Sequence, residues 1–425
     1  MGSINIDMFP ASYGDSFLVK CMGEKNSNIL IDMGFKSTYK NYINKELIKL
    51  NKAGEKISLL VFTHIDEDHI LGGIDFIEKN GIASSPNIIE IDEIWHNSYR
   101  HLQFDKREQL ESEKKMDNTE ASILRNIIDK GYIREKGVRD ISDVGYKKGS
   151  TLSGILYKNI YNAIWNNSFN NNAIKIPDDG NLPIIVVGDN VKLTLLSPNK
   201  EKLKELDSGW RKKLTELGFS EQIEKSEIMD DAFEIYNANL SIKKKKERSI
   251  SNVSGRAIDF EEIANGKFQP DKTVVNGSSI SFILEFQNKK ILFLGDSHTD
   301  IIVENLKKIL LKNKEEKLFF DAVKISHHGS KHNTSNDLLE LIRTPRYLIS
   351  TNGKGRGFNH PDLETLCRII TSNPEIEKEL IFNFKPVHLF DHINEQDLKK
   401  KYNYKIRCGN NQPESNTHEK TSIII

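Results

Sequence analysis

Cysteine is scarce in this chain: three among 425 residues, Cys21, Cys367 and Cys408. An odd number at such wide spacing makes neither a disulfide framework nor a zinc knuckle, and fits a reducing compartment. Net charge is missing too, because 61 Lys and Arg are matched by 61 Asp and Glu. Attachment to nucleic acid by bulk electrostatics is therefore disfavoured, while a local basic groove is not. No apolar run approaches the roughly 18–20 residues of a membrane span. The longest runs, such as Leu59–Phe62, have the length of a strand, so no membrane partner is expected. The opening residues, Met-Gly-Ser-Ile-Asn-Ile, have neither the basic nor the apolar region of a secretory leader, and the expected location is the cytoplasm. Myristoylation is excluded by Ile6, which stands where Ser or Thr is needed. Internal repeats are absent.

What is present reads as an α/β rhythm. Ile4–Phe9, Ser16–Cys21 and Asn28–Asp32 have the pattern of short strands, and Tyr39–Asn51 has helical spacing. Ser58–Thr63 is a continuous apolar run that suits a strand buried on both faces. Ile70–Asn80 reads as the helix after it, and Ile88–Trp95 as a further strand. Two stretches, at about 100–180 and 200–272, are rich in charge and read as helical insertions. Between them Pro183–Val187 and Val191–Ser197 form a hairpin. The buried pattern returns with the hairpin Ser279–Phe286 and Lys290–Leu294, the strands Asp321–Ser326 and Tyr347–Thr351, and the helices Asp300–Lys314 and Leu363–Ile370. A C-terminal extension starts at about 375, and the whole, 1–425, is expected to be a single domain. The basic run Lys243–Arg248 reads first as a solvated face and second as a contact for nucleic acid.

The strongest chemical signal is Thr63-His-Ile-Asp-Glu-Asp-His69. His64, Asp66, Asp68 and His69 fall within six residues, directly after a buried strand. Strand ends are where α/β folds place functional loops. Imidazole and carboxylate together suit zinc, iron or manganese. The competing reading is a helix cap made by Asp68, but a cap has no need of two histidines. Three later sites share the placement: Gly295-Asp296, His327-His328-Gly-Ser330 and Asn359-His360-Pro361 each follow a strand. Their common position, more than any one of them, predicts a shared metal centre.

The order His-x-Asp-x-Asp-His, Gly-Asp, His-His-Gly-Ser, His-Pro resembles the metallo-β-lactamase fold superfamily. Asp66 stands where that superfamily usually has a second histidine, a variant similar to the β-lactamase-like domain of ComEC-type DNA-uptake proteins. Tyr13–Val19, Ile29–Gly34, Val191–Pro198 and Lys324–Ser330 resemble the same domain. The likeness covers roughly 4–98, 183–198 and 276–370, without the polytopic membrane part, so the uptake role is not expected to carry over. The resemblance implies a four-layer α/β/β/α sandwich with two divalent ions, zinc or manganese, at one edge. His64 and Asp66 would serve the first ion; Asp68, His69 and His360 the second; Asp296 would bridge them. One of His327 and His328 would complete the first site and the other would face substrate. With His327 as the ligand, His328 is the proton donor and Asp68 orients the nucleophile. Asp32 would be a buried carboxylate steadying the histidine-rich loop.

The ions would lower the pKa of a shared water toward neutrality and so supply a hydroxide nucleophile. A metal-dependent hydrolase is the expected function, most of all a phosphodiesterase or nuclease. The substrate would be single-stranded nucleic acid or a nucleotide, with Lys243–Arg248, Lys324 and Lys331 offering local positive charge. The alternatives are a small-molecule ester or lactone hydrolase, and a component of a multi-protein bacterial antiviral defence system that docks a partner protein through the insertions.

Overall fold

The structure, a computed structural model, describes residues 2–103, 116–132, 151–219, 226–244, 259–354, 359–409 and 419–425. A side-chain period of two builds the first sheet. Its strands are β1 (Ser3–Met8), β2 (Phe17–Met22), β3 (Ser27–Ile31), β4 (Leu59–Val61) and β5 (Ile94–Trp95). Ile29, Ile31, Leu59 and Val61 enter one apolar cluster, while Leu18, Leu30 and Leu60 between them enter another on the opposite face. β3, β4 and β5 run parallel. β4 is buried throughout, which is why its sequence is unbroken rather than alternating.

In the second sheet β6 (Ile184–Val187), β7 (Val191–Ser197), β8 (Ser281–Phe286) and β9 (Lys289–Phe293) form an antiparallel meander. The chain then runs through β10 (Leu318–Phe319), β11 (Ala322–Lys324), β12 (Ile342–Arg343), β13 (Arg346–Ile349), β14 (Lys378–Phe382), β15 (Tyr404–Cys408) and β16 (Thr421–Ile424). β10 and β12 pair with each other, and the large sheets have the orders β16-β1-β2-β3-β4-β5 and β15-β14-β13-β11-β9-β8-β7-β6. The residues beyond 375, expected as an extension, thus supply the edge strand β15 of one sheet and β16 of the other.

Layering follows from the two clusters. One holds Val19, Ile29 and Val61 of the first sheet with Leu193, Leu284 and Phe293 of the second. It runs on to Ile301 and Leu306 in the helix Thr299–Asn313 and to Leu366 and Ile370 in Leu363–Thr371. The other packs Leu47 of Asn44–Lys52 and Ile70, Ile74 and Ile77 of Glu67–Asn80 on the outer face of the first sheet. The result is an α/β/β/α sandwich with helical insertions. Helices Leu152–Lys158, Lys200–Glu216 and Glu227–Lys244 add Leu156, Trp210 and Phe233 to the second cluster, so the insertions are built into this core.

Several boundaries differ from expectation. Ile88–Trp95 pairs only at an isolated bridge from Ile57 to Ile91 and then in β5, so most of that run is not strand. The first insertion holds the helices Asn118–Ile128 and Leu152–Lys158 and then turns. Residues 104–115 and 133–150 of it lie outside the described residues, as do 245–258, which include most of the Lys243–Arg248 run. Among the described residues no helix is long and apolar enough to cross a membrane.

Candidate metal centre

The helix after β4 starts at Glu67, three residues earlier than its apolar spacing predicts. Its N-cap position is therefore Asp66, not Asp68, and the Asp66 side chain makes no capping hydrogen bond. Asp68 and His69 lie in the first turn, and His64 lies in the bend between strand and helix. The helix fits closely against the strand ends. A Cβ on Gly72 would lie 2.1 Å from the Met33 carbonyl oxygen, and one on Gly73 would lie 2.1 Å from the Phe62 ring.

Three histidines are oriented the same way. His69 Nδ1 lies 2.8 Å from Asp32 Oδ2 and donates to it. Thr63 Oγ1 donates to the same oxygen at 2.8 Å, which leaves it to accept from His64 Nδ1 at 3.0 Å. His328 Nδ1 donates to the Ser350 carbonyl at 3.0 Å. With each Nδ1 occupied, each neutral ring turns its Nε2 lone pair outward. The Nε2 atoms of His64, His69 and His328 are buried without a hydrogen bond. They converge on Asp296 Oδ2, at 3.7, 3.5 and 3.6 Å. His328 Nε2 also lies 3.5 Å from Asp68 Oδ2.

Among the described residues four groups have donor atoms close enough for a common ion: His64, His69 and Asp296; Asp68, His69 and His328; Asp15, Asp32 and His69; and Asp15, Asp296 and His328. Orphaned imidazole nitrogens facing shared carboxylates are a donor set that fits divalent metal. The charges agree. Burial works against ionising Asp296, but His328, His69 and His327 beside it hold its carboxyl well below the usual range. Burial likewise works against charging His69, and Asp296 and Asp32 outweigh it and raise its pKa. His328, opposed by burial and favoured by Asp296 and Asp15, is pushed up to about 9. Positive charge is favoured at this point, whether as protons or as metal.

The structure thus brings together His64, Asp68, His69, Asp296 and His328. The other expected residues are placed differently. Asp66 Oδ2 lies 3.8 Å from His64 Nε2 but belongs to none of the four groups. His360 also lies outside them, beside His327 with ring centroids 5.2 Å apart and its Nδ1 3.3 Å from Asp362. His328, not His360, stands with Asp68 and His69. Of the histidine pair, His328 is within the groups, whereas His327 reaches Asp296 only at 3.8 Å and is tied through Nδ1 to Asn333 Oδ1 at 3.0 Å. The cause is local. Both residues have left-handed backbones, with φ of 49° and 55°, so the two rings leave the turn in different directions.

Two partners were not expected from the sequence. Asp15, in the turn between β1 and β2, pairs with Lys324 and lies 3.3 Å from His328 Nδ1. Its signal was a Gly-Asp at a strand edge, the same pattern as Gly295-Asp296. Lys324, expected to offer charge to a substrate, is 1% exposed and bound to Asp15, so it cannot do so. Of the remaining histidines, His101 bonds Ser98 within a turn, and His298 bonds the Thr273 carbonyl.

Residues 10–143 match the family described as the metallo-beta-lactamase superfamily. The match takes in Asp15, Asp32 and the His64–His69 motif, while Asp296 and the His327-His328 pair lie outside it. The fold is of the metallo-β-lactamase type. Within a metallo-β-lactamase fold, clustered His and Asp side chains at the sheet edge support a metal-dependent hydrolase in general. No curated protein matches the chain. Among solved structures it is similar to one titled "CmlA beta-hydroxylase E377D mutant", at 9% identity and a TM-score of 0.33. That match covers 100% of this chain and 54% of the other, so the chain spans about half that protein's length. At this similarity it carries no argument about activity.

Proposed function

We propose that the protein is a phosphodiesterase that works with two divalent ions, zinc or manganese. The observation that carries this reading is the mixed donor set, in which Asp68, Asp296 and Asp15 share the centre with three imidazoles. Carboxylate oxygen favours the harder ions that accompany phosphate esters. Ions bound here supply Lewis acidity toward the ester and acidify water. His64, His69, His328 and Asp296 would hold them. Asp68, beside His328, orients the attacking group. His327, the more exposed of the histidine pair, hands a proton to the leaving oxygen.

A second reading, a small ester or lactone hydrolase, is favoured by burial. His64, Asp68, His69, Asp296 and His328 are each at most 4% exposed, which suits a substrate of nucleotide size or smaller better than a long strand. Manganese- or zinc-loaded protein should be offered single-stranded oligonucleotides, bis(p-nitrophenyl) phosphate and a lactone, with Asp296→Ala as the blank. Cleavage of the diesters is expected. Cleavage of the lactone with both diesters intact would replace the phosphodiesterase reading by the second one.

A further inference from the structure

Lys324 is a charged side chain buried at the end of β11, 1% exposed and so removed from bulk solvent. Such a group is stable only when its donors are matched. Its Nζ donates to the Gly295 carbonyl at 2.8 Å and pairs with the Asp15 carboxylate. It also lies 3.8 Å from Asp296 Oδ1. The Gly295 carbonyl is gripped a second time, by the His327 backbone N–H at 3.0 Å. Gly295 itself has φ of +51° and leaves no room for a side chain, because an added Cβ would lie 2.4 Å from Ser279 Oγ.

The two oxygens of Asp296 therefore meet different surroundings. Oδ2 faces the Nε2 atoms of His64, His69, His327 and His328 at 3.5–3.8 Å. Oδ1 makes no hydrogen bond and faces the Lys324 ammonium. We infer that Lys324 is a positioning residue, which clamps the Gly295-Asp296 turn and holds Oδ1 back so that Asp296 offers the metals one oxygen, Oδ2. Asp15 completes the clamp from the other sheet by fixing the ammonium and standing 3.3 Å from His328 Nδ1. This inference rests on the two-ion reading above and is independent of which ester is cleaved.

Charge and position predict opposite outcomes. A buried ammonium next to a cation site repels the cation, so if Lys324 acted by charge alone its removal would tighten metal binding. If it acts by position, removal weakens binding, by roughly 10–100-fold, as is usual for groups that orient metal ligands. Lys324→Met alone would strand the Asp15 charge, so the test uses the double variant Asp15→Asn/Lys324→Met, which removes both charges. Asp15→Asn alone measures what loss of the Asp15 carboxylate costs, so the part played by Lys324 is the further change from Asp15→Asn to the double variant. Manganese alone is titrated into each folded protein by calorimetry, and the loaded samples are read by electron paramagnetic resonance. The expected result is weaker binding in the double variant than in Asp15→Asn, with loss of the exchange-coupled signal of two ions sharing a ligand. Binding in the double variant as tight as in Asp15→Asn or tighter, with the coupled signal kept, overturns the inference. A double variant that no longer folds marks the pair as purely structural and overturns it too. Wild-type protein that takes up neither manganese nor zinc removes the inference together with the metal centre. Metal uptake without diester cleavage removes only the phosphodiesterase reading.

Discussion

Asp32 has no free oxygen. Oδ1 accepts from the Thr63 backbone N–H at 2.8 Å, and Oδ2 accepts from Thr63 Oγ1 and His69 Nδ1, each at 2.8 Å. Asp32→Asn keeps the size but presents an NH2 to one of these donors, so His69 must turn or change tautomer. Metal affinity should fall by roughly 10–100-fold with the fold retained, measured by competition with a chelator; unchanged affinity would show that His69 is not a ligand. Asp296→Ala should abolish turnover while circular dichroism stays the same. Protonation gives a third expectation. His328 has an ordinary value of 6.5, raised in the fold to about 9. A raised pKa stabilises the metal-free protein fully below pH 6.5, and that contribution is lost as pH rises toward 9. Asp296 is lowered, so its contribution is present above 3.8 and lost as pH falls through its depressed value. The melting temperature of metal-free protein should therefore decline from pH 6.5 to 9, and manganese should both remove the decline and release protons on binding. A flat profile without metal would contradict the charge pattern described. At this scale the sequence was most legible: His64, Asp68, His69 and Asp296 stand where strand-end motifs put them. Asp15 was hidden because a single Gly-Asp is usually a turn. The placement of His328 rather than His327 among the donor groups was hidden because it depends on two positive φ angles.

The helix Glu67–Asn80 carries two of the gathered side chains, and its position is set by glycine. Gly72 lets it approach the Met33 carbonyl, and Gly73 lets it approach Phe62. Gly72→Ala should displace the helix, since the opposing atom is backbone and cannot rotate away. The expected cost is about 1–3 kcal/mol, read by denaturant titration, accompanied by weaker manganese binding. A loss of stability without any loss of metal binding would mean that the helix does not position Asp68 and His69. Elements were legible to the degree that their burial was simple. β4, covered on both faces, was readable as an apolar run. Ile88–Trp95 looked the same, yet only β5 pairs, because an apolar segment can be buried by packing without joining a ladder. The start of Glu67–Asn80 was obscured by its polar first turn, where Asp68 and His69 join the donor groups, so apolar spacing begins only at Ile70.

Across the whole molecule, the least legible part was the C-terminal region. Its polar surroundings concealed that Thr421–Ile424 closes the first sheet against β1. There Ile423 is 2% exposed, and Lys420 Nζ reaches Asp7 and Glu46 at 2.8 Å each. Removal of residues 419–425 should uncover the β1 edge, and the product should self-associate on size-exclusion chromatography. A monomeric truncation with an unchanged denaturation midpoint would show that β16 is dispensable. The clusters at the sheet edge have a further consequence, one of timing. Three of the four donor groups take members from both sheets, His64, His69 or Asp15 from one and Asp296 or His328 from the other. Neither half of the chain can assemble those sites alone, and His64 and Asp296 are far apart in sequence, so tight metal capture has to follow the docking of the two sheets. A zinc-sensitive dye mixed with refolding protein would then serve as a clock for that docking step, losing its signal after the secondary structure has formed and not before.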